Sequence, residues 1–376
     1  MFGWRGRAGA VAAIAVFGSL SALPVRADED IPTYKVLTCE SKCPAFTPAV
    51  PIDRPQPVYP HRDTGFLDVY TEAQVDVRFT IGSDGVVKNA NIERLLGPPE
   101  FGDSALAAVA QYKYQPAIED GHPVEQNRRI RFTFQISNPI VGARAKVVSA
   151  YRDAVQLAKD KKTDEAIAAL KAIIGQQRLN FYERTMVAFV LASIYVDQSN
   201  NSLALDQIRD ATLNEGGFLD KRAQENAIRL RISLEAANGE FAEAFAWFEI
   251  LKKHVTVGDD DSSAKLVGRL HALLDDSTPL ELDASISPDA GAPPWQHTLL
   301  RRSFSFDAIT GKLNNFEMRC DRHGIESAVS DKANWTVPKS WSGCVIYVSG
   351  APGTKFQFVE SVPEAAATPN APAPKG

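Results

Sequence analysis

The feature that most constrains the fold is a strict alternation of apolar and polar residues over residues 72–81. Apolar side chains at every second position alternate with polar ones: Val75, Val77, Phe79 and Ile81 against Asp76, Arg78 and Thr80. Successive side chains of a strand point to opposite faces, so this pattern predicts one buried face and one face in water. Asp84 and Gly85 then form a tight turn, and residues 86–92 return as the partner strand of a hairpin.

A helix and a third strand complete this predicted unit. Leu106, Val109 and Tyr112 recur at spacings of three over residues 104–112, which gives one apolar stripe on a helix. After a turn at Gly121, residues 124–136 alternate again, with the apolar set facing the core: Ile130, Phe132, Phe134 and Ile136. The sequence therefore predicts a small β-β-α-β domain.

Residues 56–136 resemble the C-terminal domain of the TonB family, and we place the predicted domain at residues 56–138. The resemblance rests on Tyr59-Pro60, the hairpin turn, Phe101 with its helix, and three later motifs: Tyr112-Lys113-Tyr114-Gln115-Pro116-Ala117, Gly121-His122-Pro123-Val124 and Ile130-Arg131-Phe132-Thr133-Phe134. In that family, the strand that corresponds to the third one pairs with a short N-terminal peptide of TonB-dependent outer-membrane receptors. The resemblance thus implies strand addition to an edge of the sheet.

Carried over to this chain, the docking edge lies at residues 127–135. The implied partner-binding residues on it are Asn127, Arg129, Arg131, Thr133 and Gln135. Gln56, Tyr59 and Pro60 match the segment before the domain that also meets the receptor in the family. Two alternatives remain open: the arginines serve only to keep an edge strand soluble, and Tyr59 packs against the helix.

The N-terminal 27 residues have the layout of a cleaved secretory signal. Arg5 and Arg7 precede an apolar run over residues 8–25, and Val25-Arg26-Ala27 provides small residues before a cut. Cleavage removes three arginines and no acidic residue, so the net charge falls from −5 to −8, which opposes nucleic-acid binding. We expect a periplasmic protein; the alternative is an uncleaved inner-membrane anchor.

Cysteine count and spacing predict two disulfides in an exported chain, Cys39–Cys43 and Cys320–Cys344. No nearby histidine completes a metal site around the first pair, because the first histidine is His61. The chain also lacks the motifs of common catalytic sites, namely GxSxG, HExxH, P-loop and GxGxxG. We therefore expect no enzyme, no metal and no cofactor.

The remaining segments divide by composition. Residues 28–55 are a proline-rich linker, residues 141–276 are helical, residues 277–296 form a second linker, and residues 297–361 form a small β domain before a disordered tail at residues 362–376. Helical blocks align at Ala166, Ala204 and Ala244, which predicts a tetratricopeptide-like array, with an ordinary helical bundle as the alternative. A hairpin is expected around residues 310–312. The predicted fold class is α+β.

These predictions favour a periplasmic, non-enzymatic TonB-like protein that binds the N-terminal peptide of a TonB-dependent receptor in nutrient transport, while the helical repeats hold a second protein partner. If the N-terminus stays in the membrane, the chain is an energy transducer that contacts an inner-membrane motor complex. The absence of a histidine before His61 and the short linker oppose that reading. A third possibility is an envelope scaffold dominated by the helices. The sequence leaves the oligomeric state open.

Overall fold

The computed structural model describes residues 25–28, 35–60, 71–135, 142–175, 179–288 and 294–362. Residues 1–24, with most of the predicted signal segment, and the predicted tail from residue 363 onward lie outside these ranges. Along the chain the described residues form a unit of sheets and one helix, a helical unit and a C-terminal β unit. The mixed α and β organisation predicted from the sequence is therefore confirmed.

The first unit is built on a four-stranded sheet with the order β1-β9-β4-β5. Its elements are β1 (Val25–Asp28), β2 (Phe46–Thr47), β3 (Val50–Asp53), β4 (Ala73–Ile81), β5 (Val87–Leu96), α1 (Pro99–Val109), β6 (Lys113–Gln115), β7 (Ala117–Glu119), β8 (His122–Val124) and β9 (Gln126–Phe134). Gly85 has a φ of 79° in the turn between β4 and β5, and a Cβ there would lie 2.0 Å from the Tyr114 carbonyl oxygen. Glycine is therefore required at this turn.

Helix α1 covers one face of this sheet. Phe101, Ala105 and Val109 are buried on it and share a core with the apolar residues of β4 and β9. The helix begins at Pro99, earlier than the predicted residue 104, because proline is well tolerated in the first turn of a helix.

The opposite face of β4 is buried as well. Asp76, Arg78 and Thr80 keep only 5%, 9% and 6% of their surface exposed. Arg78 donates to Glu317 of the C-terminal unit at 3.1 Å, and its guanidinium lies 4.2 Å from the centre of the Tyr347 ring. The prediction that this face is in water is wrong, because a distant part of the chain covers it and pairs its charges.

The predicted linker at residues 28–55 also belongs to the fold. β2 pairs with β7 and β3 pairs with β6, so residues 46–53 extend the first unit. Proline is compatible with such short edge strands, as Pro51 in β3 illustrates. Nearer the N-terminus, Leu37 is buried in the core of the C-terminal unit, and Arg302 donates to Glu40 at 2.7 Å.

The helical unit consists of three consecutive helix pairs, a further helix and a 3-10 turn at Leu213–Gly216. The helices are α2 (Ala145–Lys159), α3 (Thr163–Gly175), α4 (Phe181–Asp197), α5 (Asn201–Ala211), α6 (Lys221–Ala237), α7 (Phe241–His254) and α8 (Ser262–Asp275). Ala166, Ala204 and Ala244 are fully buried at equivalent places in the second helix of each pair. Within the part of the chain that the structure describes, no helix has the length and apolar character needed to cross a membrane.

The C-terminal unit is a sandwich of two four-stranded sheets, ordered β10-β17-β12-β15 and β11-β16-β13-β14. Its strands are β10 (Leu280–Ser285), β11 (Trp295–Thr298), β12 (Ser303–Thr310), β13 (Leu313–Arg319), β14 (Gly324–Ala328), β15 (Trp335–Thr336), β16 (Val345–Gly350) and β17 (Lys355–Ser361). Phe304 and Phe358 of one sheet share a core with Phe316 and Ile346 of the other. Both predicted disulfides, Cys39–Cys43 and Cys320–Cys344, are present.

Two expectations for this region are wrong. β12 and β13 flank residues 310–312 but enter different sheets, β12 beside β17 and β13 beside β16, so they do not form a hairpin. The second predicted linker, residues 277–296, contributes the whole of β10. Local turn residues indicate where the chain reverses, whereas pairing partners depend on distant strands.

Candidate functional site: the outer edge of β9 and the adjoining cleft

Strand β9 carries four of the eight predicted partner-binding residues, with Gln135 directly after it, and both sides of the strand are occupied. On one side it pairs with β4 along its whole length. On the other, β1 pairs with its second half, from Val25 opposite Phe134 to Asp28 opposite Arg131. The expectation that the third strand ends the sheet is therefore wrong. The outer side of β9 nevertheless accepts an antiparallel strand, and here the chain supplies that strand itself.

The first half of β9 meets the C-terminal unit. The backbone N–H of Asn127 donates to the carbonyl oxygen of Asp321 at 3.2 Å, and its side-chain amide donates to the carbonyl oxygen of Cys320 at 2.8 Å. Backbone groups alternate in direction along an antiparallel strand, so those of Arg129, Arg131 and Thr133 point to this same outer side.

The predicted arginines form ion pairs inside the protein. Arg129 Nε lies 2.5 Å from Glu93, and Arg131 binds Asp76 through two bonds of 2.7 Å. Burial alone acts to lower the pKa of Arg129, but Glu93 outweighs this effect and the pKa is raised. Both side chains are half-buried rather than exposed. Sequence reasoning missed their acidic partners, which lie on β4 and β5.

Tyr59 supports the packing alternative. It is 5% exposed, and its ring packs edge-on against Phe101 and Phe134 with centroids 5.2 and 6.3 Å apart. Its hydroxyl donates to the carbonyl oxygen of Thr71. Gln56 is exposed, and the other predicted residues are half-buried: Pro60, Thr133 and Gln135. Of the three residues predicted in this segment, Gln56 is thus the exposed one, and its neighbour Val58 is exposed as well.

Comparison with protein families agrees with this architecture. The family described as "Gram-negative bacterial TonB protein C-terminal" matches residues 55–136. These residues form a TonB C-terminal domain. The match spans β4 to β9 together with the segment of Tyr59, and it leaves the helical unit and the sandwich outside. No match was found among curated proteins. We refer to residues 55–136 as the TonB domain.

A cleft of about 350 Å³ lies where the TonB domain meets the sandwich. One wall is the first half of β9, residues 126–129, and the other is formed by the disulfide-bonded ends of β13 and β16. Its described lining includes five cationic side chains and one carboxylate: Lys35, Arg78, Arg128, Arg129 and Arg319 with Asp321. Burial lowers the pKa of Arg128. No local pattern in the sequence indicates this cleft, because its lining comes from five separated segments.

The described residues contain no group of three or more His, Cys, Asp or Glu side chains arranged to hold a metal ion. A buried acidic cluster instead lies between α7 and the sandwich. His297 is 2.7 Å from Glu360 and 3.9 Å from Glu240. Glu360 also accepts the backbone N–H groups of Leu300 and Arg301 at 2.8 and 2.7 Å. The contact between His297 and Glu240 joins the helical unit to the sandwich.

Proposed function

We propose that this chain is a non-enzymatic, periplasmic TonB-like protein that binds the N-terminal peptide of a TonB-dependent outer-membrane receptor along the outer side of β9. The observation that carries the proposal is the ladder between β1 and the second half of β9. The four-residue strand β1 already pairs with this edge, so the geometry of the edge suits strand addition.

The predicted signal cleavage bears directly on this edge. A cut after Ala27 removes three of the four residues of β1, Val25 to Ala27, and leaves Asp28. We propose that this processing frees the outer backbone edge of β9 at Phe134, Thr133 and Phe132, the residues that pair with Val25, Arg26 and Ala27. A receptor peptide then takes the place of β1. The same register would be used, because the outward-facing backbone groups of β9 stay where they are.

The helical unit supports a second part of the proposal. Ala166, Ala204 and Ala244 are followed four residues later by Leu170, Ile208 and Phe248, of which the first two are fully buried and the third is partly buried. A repeated small-then-large contact lets consecutive helix pairs stack closely. We propose that these pairs form a tetratricopeptide-like array that holds a second protein partner.

The test of receptor binding is calorimetric titration of a receptor N-terminal peptide into two proteins, one beginning at Asp28 and one beginning at Val25. We expect micromolar binding to the first and at least roughly tenfold weaker binding to the second, since strand β1 competes for the edge. Equal affinity for both proteins, or no binding to the shorter one, contradicts the proposal.

A pair of substitutions at one position sharpens this test. Thr133→Pro removes an outward-facing backbone N–H from β9, whereas Thr133→Val changes the side chain and keeps the N–H. We expect the proline variant to lose at least roughly tenfold in peptide affinity, in line with lost ladder bonds, and the valine variant to bind normally. Circular dichroism checks that both variants keep the native secondary structure.

A further inference from the structure

The cleft between the TonB domain and the sandwich has an excess of positive charge. Nearby carboxylates balance part of it: Asp321 binds Lys35 at 2.8 Å, Glu93 binds Arg129 at 2.5 Å, and Glu317 binds both Arg78 and Arg319. Three of these cations, Lys35, Arg78 and Arg319, thus share two carboxylates, because Glu317 serves both arginines. Charges drawn together in a partly dry cleft repel each other more strongly than in water, so the surplus favours an anion.

Arg319 adds a specific donor to this charge. The residue is 8% exposed, and its Nε donates to Glu317 at 2.6 Å. Its Nη1 is buried and has no hydrogen-bond partner among the described residues. A buried charged donor without an acceptor costs stability, and a ligand oxygen is one way to remove that cost.

The cationic walls are held in place before any ligand arrives. Arg78 lies over the Tyr347 ring, and Glu93 receives both Arg129 and the Tyr347 hydroxyl at 2.5 Å. Asn127 fixes the other wall through the carbonyl oxygen of Cys320, beside the disulfide. Little side-chain entropy remains to be lost on binding, which favours affinity for a small ligand.

We propose that this cleft binds a small oxyanion ligand, a molecule that presents a carboxylate or phosphate group to Arg319 between the TonB domain and the sandwich. A volume of about 350 Å³ suits a ligand of small-metabolite size. Guanidinium groups match the paired oxygens of a carboxylate or phosphate. The bound ligand would hold the two domains together, and this site is separate from strand addition at the second half of β9.

The experiment is binding of inorganic phosphate and of succinate to the full chain beginning at Asp28, measured by thermal shift and calorimetry at constant ionic strength set with sodium chloride. We expect saturable binding of at least one probe. Phosphate and succinate then distinguish the two sources of the oxyanion. Arg319→Gln should weaken that binding roughly ten- to a hundredfold, as expected for loss of a charged hydrogen bond.

Two further variants control for folding and for charge. Lys35→Gln removes a cation whose side chain is 47% exposed, so the fold tolerates it, and we expect binding to weaken roughly threefold or more. Lys355→Gln removes one positive charge from an exposed position of the same sandwich, outside the cleft lining, and should bind as the unsubstituted protein does. No saturable binding of either probe, or equal weakening by all three substitutions, overturns the proposal.

Discussion

Arg78 and Arg129 lie directly opposite each other on the neighbouring strands β4 and β9. Like charges in this position destabilise a sheet unless each finds a counter-charge. Arg129 forms an ion pair with Glu93, whose side chain is 2% exposed, and Arg78 forms one with Glu317 of the sandwich. Of these two repelling charges, one is therefore paired inside the TonB domain and the other is paired by the sandwich.

Glu93→Gln should destabilise the protein strongly. The substitution removes the carboxylate that lies 2.5 Å from Arg129 Nε while Arg78 stays opposite, and we expect a loss of roughly 3 kcal/mol in the free energy of unfolding, as for other broken buried pairs. Urea denaturation measures this loss. Glu125→Gln is the matched control, because Glu125 is paired with Lys88 at an exposed site and should cost less than about 1 kcal/mol. Similar midpoints for the two variants contradict the prediction.

Stability should fall as the pH rises through the neutral range. Burial, with Glu243 close by, raises the pKa of Glu240 to about 7. A carboxyl whose pKa is higher in the folded than in the unfolded state favours folding at low pH, and this contribution is lost as the pH rises from about 4.5 to about 7. Burial tends to lower the pKa of His297, but Glu360 raises it, so its contribution is also lost at higher pH.

Glu240→Gln tests this pH dependence. We expect the loss of stability between pH 5 and pH 8 to be smaller in this variant by on the order of 2 kcal/mol. A fully buried carboxyl would give a larger difference, but the Glu240 side chain is 19% exposed. Melting temperatures across this range give the readout. Glu249→Gln on the exposed side of α7 should leave the pH profile unchanged. An unchanged profile in Glu240→Gln counts against the buried cluster as its origin.

Tyr59 contributes through its ring more than through its hydroxyl. Tyr59→Phe keeps the edge-on contacts with Phe101 and Phe134 and loses the bond to Thr71, so it should cost about 1 kcal/mol. Tyr59→Ala should cost roughly 3 kcal/mol or more through the cavity it leaves. If Tyr59→Phe also abolishes binding of a receptor peptide while the protein stays folded, the hydroxyl has a role in binding that its buried position does not suggest.

Removing the Cys320–Cys344 disulfide should loosen the sandwich and the cleft together. The two cysteines are 24 residues apart in sequence, and for a loop of that length the disulfide stabilises the folded state by about 3 kcal/mol. Asn127 donates to the carbonyl of Cys320, so amide exchange at the start of β9 should speed up as well. The double variant Cys39→Ser/Cys43→Ser is the control. Its loop has a separation of only 4 residues and lies at an exposed segment, so β9 should stay protected.

Local patterns were sufficient for those parts of the fold in which neighbours in sequence are also partners in space. The alternation over residues 72–81 and the glycine at 85 define the β4–β5 hairpin, and the spacing of Ala166, Ala204 and Ala244 locates the second helix of each pair. The cysteine spacing is sufficient for both disulfides. In each case the deciding contact is close in the chain or has few alternatives.

The site was less predictable for a physical reason. Arg78 has the pattern of a solvent-facing residue, and its partner Glu317 is 239 positions away, so no local signal indicates that the pair is buried. The same holds for β10, whose partner β17 comes at the end of the described chain. For β9, the alternation predicts the strand correctly but does not reveal which segment lies on its outer side.

The position of Leu37 constrains the order of events during synthesis. This residue lies in the core of the sandwich beside Phe304 and Phe358, although it leaves the ribosome more than 260 residues before them. Its docking site does not exist until the last strands have been made. The contacts of Leu37 and Glu40 with the sandwich must therefore form after the C-terminal strands, whereas β2 and β3 can pair with the TonB domain earlier. The last contacts to form thus involve a segment that was made early.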